Sequence, residues 1–195
     1  MKKQNILLLV FCCFVLALAG CAAPLSKKPV TTGSAAKTHP DQVPERAIVL
    51  SHPPSGERLN LTYYKNNRYD PAALTKINRL FRDRQNNSIG KIDPELIDFL
   101  VDIRTRLGLP PSVTFEILDG YRSRSTNEKL RARNSQAAKD SLHIYGWAVD
   151  FRISKVNGRA VAEIAKTMQR GGVSYYPSSN HIHIDLGNIR TWKTK

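Results

Sequence analysis

Cysteine is almost missing. The three that occur, Cys12, Cys13 and Cys21, all lie near the start of the chain. From residue 22 onward there can be no disulfide, no thiol nucleophile and no thiolate metal ligand. Any metal site there must draw on His and carboxylates. A long apolar run is also absent: the stretch Ile6 to Leu18 is too short to span a bilayer comfortably. Acidic residues are scarce, with 16 Asp and Glu against 30 Lys and Arg, a formal charge of +14. Such an excess favours polyanions: anionic headgroups, cell-wall polymers or nucleic acid. The basic residues are spread, however, as in Arg79, Arg82 and Arg84 and again in Arg122, Arg124, Arg131 and Arg133. Solvated helix faces account for much of the excess, so charge alone identifies no ligand. No internal repeat is visible. At 41% hydrophobic and 24% charged, the composition supports a core and is not that of a disordered chain.

The N-terminus reads as an export signal. Met1-Lys2-Lys3 is basic, Ile6 to Leu18 is apolar, and Leu18-Ala19-Gly20-Cys21 follows. The small residues before the Cys resemble the lipobox of bacterial lipoprotein signal peptides. That resemblance implies cleavage before Cys21 and lipidation of its thiol and new amino group. Residues 1–20 are then a lipoprotein signal peptide. Residues 21–45, rich in Pro, Ala, Lys, Ser and Thr without apolar periodicity, are a lipidated flexible tether. The expected location is the cell envelope, lipid-anchored, with the outer membrane facing the periplasm in a two-membrane cell. For an exported protein, the membrane and the wall are expected partners and nucleic acid is not.

Residues 46–195 are expected to form one domain. Ala47 to Leu50 and Leu59 to Tyr64 read as two strands joined by the turn Pro53-Pro54-Ser55-Gly56. Asp70-Pro71 and Asp93-Pro94 each combine an N-cap with a first-turn Pro and open two helices. In the first, Leu74, Ile77, Leu80 and Phe81 line one face; in the second, Ile97, Leu100, Val101 and Leu107 do, and Gly108 ends it. Val113 to Leu118 alternates as a strand, and Thr126 to Ser135 reads as a short polar helix. In Gly146 to Ile153, Trp147, Val149 and Phe151 fall on one face, and Ala148, Asp150 and Arg152 on the other. An amphipathic helix through Val161 and Met168 and two last strands, Val173 to Tyr176 and Asn180 to Leu186, complete the pattern. This order predicts an α+β fold with a mainly antiparallel sheet flanked by helices.

Three of the five His lie close together in sequence: His143, His181 and His183. His181, His183 and Asp185 alternate along one predicted strand and share a face. Asp150 lies on another, with His143 in the loop that enters it. Two neighbouring strands can thus gather three imidazoles and two carboxylates in one pocket. A catalytic zinc takes three such protein ligands and leaves a fourth position for water. Against this, Asp150 could be the buried ion-pair partner of Arg122 or Arg152, and Arg122 could be structural, paired with Asp119 or Asp150.

The local strings are more specific. Ser141 to Asp150 reads S-x-H-x-x-G-x-A-x-D, and His181-Ile182-His183 reads H-x-H. Upstream stand Gly120-Tyr121-Arg122-Ser123 and Thr126-Asn127; downstream, His183-Ile184-Asp185-Leu186-Gly187 is followed by Arg190 and Trp192. Together they resemble the zinc peptidase group of D-alanyl-D-alanine carboxypeptidases, murein endopeptidases and the hedgehog signalling domain, and within it the small exported bacterial proteins called YcbK-like. The resemblance implies a hedgehog-like, D-Ala-D-Ala-peptidase-like fold, a Zn2+ cofactor, and peptidoglycan stem peptides or cross-links as substrate. It implies His143, Asp150 and His183 as metal ligands, Arg122 as the cation for a substrate carboxylate or oxyanion, and His181 as the group that orients or deprotonates water. One position departs: where the carboxypeptidase branch has a Glu base, this chain has Asn180. The base is then His181 or Asp185, and a zinc-containing but inactive wall-peptide binding module is the alternative function.

Overall fold

Short polar side chains set where each helix begins. In the computed structural model, which describes residues 44–135 and 137–194, the Asp70 carboxylate accepts from the N–H groups of Ala72 (2.8 Å) and Ala73 (3.4 Å) and opens α1, Pro71–Leu80. Asp93 accepts from Glu95 N–H at 3.0 Å and opens α2, Pro94–Arg106. Ser123 caps α3, Arg124–Arg133, and Asn157 caps α4, Gly158–Thr167. Each cap satisfies N–H groups that no helical carbonyl can reach, and is worth about 1 kcal/mol. The signal segment, Cys21 and the tether through residue 43 lie outside the described residues. No described helix is long and apolar enough to cross a membrane.

Eight strands form one sheet: β1 Arg46–His52, β2 Glu57–Lys65, β3 Arg68–Tyr69, β4 Thr114–Asp119, β5 Ala148–Ile153, β6 Gly172–Tyr176, β7 His181–Asp185 and β8 Arg190–Thr191. Their order is β3-β2-β1-β4-β5-β7-β6-β8. The α+β class is as expected, but the sheet is mixed. β1 pairs parallel with β4, and β6 parallel with β8. A parallel pair needs a crossover; α1 and α2 provide it between β1 and β4. The remaining neighbours are antiparallel, including the β1–β2 hairpin.

One face of the sheet carries the core. Phe115 and Ile117 of β4, Val149, Phe151 and Ile153 of β5, Val173 of β6, and Ile182 and Ile184 of β7 are all buried. They meet Leu96, Phe99, Leu100 and Ile103 of α2 and Val161, Ala162 and Ala165 of α4 in a single cluster. Each such large side chain, fully buried, contributes about 1.5–3 kcal/mol. The strand alternation then sends Asp150 and Arg152, His181 and His183, and Ser174 and Tyr176 to the opposite face. Trp147 departs from its expected inward position. It is 43% exposed because it precedes β5, its N–H bonded to the Leu142 carbonyl at the exit of a 3-10 turn, Leu142–Tyr145.

Candidate metal centre

The outer face brings three predicted residues to one point. Asp150 and His183 are direct partners across the β5–β7 ladder, and His143 rises from the 3-10 turn before β5. One ligand atom from each of His143, Asp150 and His183 lies within 4.8 Å of the other two. Asp150 Oδ1 is 2.8 Å from His183 Nδ1 and 3.7 Å from His143 Nε2. Neither arginine considered as its partner reaches it: Arg122 pairs with Asp119 and Arg152 with Glu116.

Ring orientation follows from the outer contacts. His143 Nδ1 is 2.7 Å from the Gly120 carbonyl, which can only accept, so the proton sits on Nδ1. In the neutral ring the Nε2 lone pair therefore faces Asp150, two acceptors turned toward a common space that suits a cation. Gly120 is held to this place by close approach, since a Cβ there would lie 2.7 Å from the Phe81 carbonyl. Gly146 serves a turn, with φ +71°, and is closely approached as well, since a Cβ there would collide with the Lys91 carbonyl. His183 Nε2 is 2.9 Å from Asp185 Oδ2 and directs Nδ1 to Asp150. Such an outer carboxylate fixes the tautomer of a ligand imidazole.

Electrostatics support a compact, alternately charged cluster. Burial alone lowers the His183 imidazolium, yet its bonds to Asp150 and Asp185 outweigh this and push it up to about 9. Burial raises the Asp150 carboxyl, but His143 and His183 more than reverse this and hold it well below the usual range. Asp185 is likewise low: burial raises it, and His183, Arg190 and the Gly187 N–H prevail. Burial holds His181 below the ordinary histidine range.

The other expected residues fall around this point in different roles. Asp185 is fully buried behind His183 and accepts from Gly172 N–H (3.0 Å), Gly187 N–H (2.9 Å) and both Nη groups of Arg190 (2.9 and 2.7 Å). It does not face the space between the three ligand residues. His181 stacks on Tyr176 with ring centres 4.2 Å apart, and its Nδ1 lies 2.6 Å from Ser179 Oγ. Arg122 bonds Asp119 through Nε at 3.1 Å and Asn127 through Nη1 at 3.3 Å, while its backbone N–H donates to the His143 carbonyl. Asn127 in turn donates to the Ala138 and Lys139 carbonyls. Asn180 sits at φ 50°; its Oδ1 accepts from Gly158 N–H at 2.9 Å and Tyr175 O–H at 3.2 Å. That amide is occupied in holding the start of α4. Sequence reasoning missed Tyr176 and Ser179 as supports of His181, and Arg190 as the anchor of Asp185; only the neighbourhood of Arg190 to the H-x-H motif signalled it.

A profile of the Peptidase_M15_2 family, described as peptidoglycan L,D-endopeptidase MepK, matches residues 41–192. The chain belongs to the MepK family. The probable peptidoglycan L,D-endopeptidase MepK of Haemophilus influenzae is 41% identical over 148 residues, covering 76% of this chain and 79% of its own length. The peptidoglycan L,D-endopeptidase MepK of Escherichia coli K12 is 39% identical over 147 residues, covering 75% of this chain and 80% of its own. The MepK-family match spans all three motifs, and the likeness read from them holds.

Proposed function

We propose that this protein is a zinc peptidase that hydrolyses peptide bonds of peptidoglycan during wall remodelling, exported and lipid-anchored at Cys21, facing the periplasm. The observation that carries the reading is the meeting of His143, Asp150 and His183 on one face of the mixed sheet. Two imidazoles and one carboxylate are the donor set of an open zinc site. Zinc bound there would polarise a substrate carbonyl and bring the pKa of bound water toward ~7.

The chain's own side chains supply the rest. His143 and His183 are held in ligand orientation by the Gly120 carbonyl and by Asp185. His181, fixed between Tyr176 and Ser179, is the group that takes the water proton and returns it to the leaving amine. Asp185 serves as a positioning residue, because its oxygens are committed to Arg190, two N–H groups and His183. Arg122, steadied by Asp119 and Asn127, faces a substrate carboxylate or the oxyanion. The expected results with the purified mature protein are one equivalent of zinc, lost in His183→Ala, and release of products from muropeptides. Zinc-free protein that leaves every muropeptide intact would overturn the proposal. The structural role of Asn180, in place of a carboxylate base, favours a second reading: a wall-peptide binding module, for which peptides bind without turnover.

A further inference from the structure

Exposed apolar side chains are few in this domain, and they are not scattered. Among the described residues, the exposed large hydrophobic side chains are Ile89, Tyr145, Trp147, Ile189 and Trp192. All but Trp192 border the 3-10 turn Leu142–Tyr145. The Tyr145 and Trp147 rings lie 5.6 Å apart at its exit. On one side, Asp93 N–H donates to the Gly146 carbonyl at 3.1 Å, and Ile89, 56% exposed, stands four residues before Asp93. Lys91 is nearer still, its carbonyl pressed against Gly146. On the other side, Gly187 packs on Leu142, where a Cβ would lie 2.7 Å from Cδ1, and Ile189, 62% exposed, follows two residues later. Two residues of chain cover at most about 7 Å, so both isoleucines stay near the turn.

Cations edge the same cluster. The Arg124 guanidinium lies 5.7 Å from the centre of the Tyr145 ring, and its Nη2 donates to the Tyr145 hydroxyl at 3.4 Å. Arg124 opens α3, whose exposed residues include Lys129, Arg131 and Arg133 against a single acid, Glu128. Single exposed hydrophobics need no explanation, but several gathered round one turn and rimmed by charge mark an interaction surface. Its make-up selects the partner. Trp and Tyr rings favour the headgroup level of a bilayer, aliphatic side chains favour the acyl boundary beneath it, and Lys and Arg meet anionic headgroups. A sugar ring or a phosphate polymer would use the aromatic faces and the cations. It would gain nothing from the two most exposed of these side chains, Ile89 and Ile189.

We infer that the end of the domain around the turn Leu142–Tyr145 docks on an anionic phospholipid surface, with Ile89, Tyr145, Trp147 and Ile189 in the interface and α3 over the headgroups. The inference takes the nearness of a bilayer from the lipid anchor proposed at Cys21. The chain from Cys21 to Arg46 can span at most about 90 Å. β1, seven residues long, covers about 23 Å, so an anchor at Cys21 permits this end of the domain to meet the membrane. Tethering makes the second contact intramolecular, and a weak docking surface then suffices. The anchor alone retains the domain; the docked surface also sets its orientation.

The test uses the mature chain with Cys21→Ser, so that no acyl chain contributes, and follows co-sedimentation with vesicles of phosphatidylcholine alone or mixed with phosphatidylglycerol. The mixed vesicles are expected to bind the protein, with a blue shift of tryptophan emission, and the neutral ones to bind it about tenfold more weakly or less. Ile89→Ser combined with Ile189→Ser should weaken binding to the mixed vesicles about tenfold. Arg131→Gln combined with Arg133→Gln should do so by a similar factor, about tenfold, and both variants should melt as the parent does. No binding to the mixed vesicles, or equal binding by the parent and both variants, overturns the docking surface. Loss of binding to isolated wall sacculi in the isoleucine variant, with vesicle binding unchanged, also overturns it and assigns the cluster to the wall. The readout involves neither metal nor anchor. Vesicle binding without product release from muropeptides therefore upholds docking and refutes the peptidase; release without vesicle binding does the reverse.

Discussion

Two partly buried polar networks share this fold and are built from different cations. On the core side, Arg46 bonds Asp98 at 2.9 Å and also reaches Asp102, Arg170 bonds Asp102 at 2.6 Å, and Tyr63 and Tyr69 donate to Asp98. On the outer face, His143, Asp150, His183, Asp185 and Arg190 form a chain of similar density. The guanidinium is permanently charged and offers no lone pair. A network of Arg and Asp therefore has one state and can only hold strands and helices together. An imidazole can give up a proton and turn the vacated nitrogen to a metal. The outer network ends in Arg190, which pins Asp185, so only the two rings retain that freedom.

The largest effect should come from removing a ring. If the metal supplies about 4 kcal/mol to the transition state, His183→Ala loses about 10³-fold in turnover, measured as muropeptide release, while its melting profile stays cooperative. The mirror change is Asp98→Ala. It leaves Arg46 and Tyr63 without their shared partner and should cost about 3 kcal/mol in urea unfolding, with metal content unchanged. Loss of metal in that variant would break the division between the two networks. Asp185→Asn tests the hinge between holding and binding. Zinc competition titration should show affinity weakened about 10–100-fold, since the outer carboxylate no longer fixes His183.

The smallest effect concerns a peripheral cluster of three residues, Glu57, Arg82 and Arg84. Hydrogen bonds from Arg82 and then Arg84 hold the Glu57 carboxyl at about 2, against 4.5 unperturbed. A lowered carboxyl adds stability that is complete above the unfolded value and fades as the pH falls toward the folded one. Glu57→Gln should therefore be less stable than the parent above pH 4.5, by under about 1 kcal/mol for so accessible a group, and the two unfolding curves should converge near pH 2. A gap that persists at pH 2 would place the contribution in packing instead of charge.

Much of this was legible because it is local. Asp70-Pro71 and Asp93-Pro94 announce helix starts through groups two or three residues away. The alternation in β5 and β7 assigns Phe151 to the core and Asp150 and His183 to the open face. Parallel pairing of β1 with β4 was not legible, because nothing within either strand specifies a neighbour some sixty residues distant. β3 and β8 are too short to display a period. At the site, the identity of His143 was visible but the Gly120 carbonyl that sets its tautomer was not, since backbone direction leaves no mark in composition. Asp185 shows the same limit: spacing places it on the face of His183, and only the structure shows its carboxylate enclosed by Gly172, Gly187 and Arg190.

The placement of β1 has a mechanical consequence. The segment preceding Arg46 enters the fold through a strand bonded on both flanks, to β2 and to β4. A pull transmitted along that segment loads two ladders in shear together, and no outermost strand can be unzipped one rung at a time. The domain is thus joined to whatever precedes it at one of its mechanically strongest points, and the candidate metal ligands lie on strands beyond β4, outside the two loaded ladders.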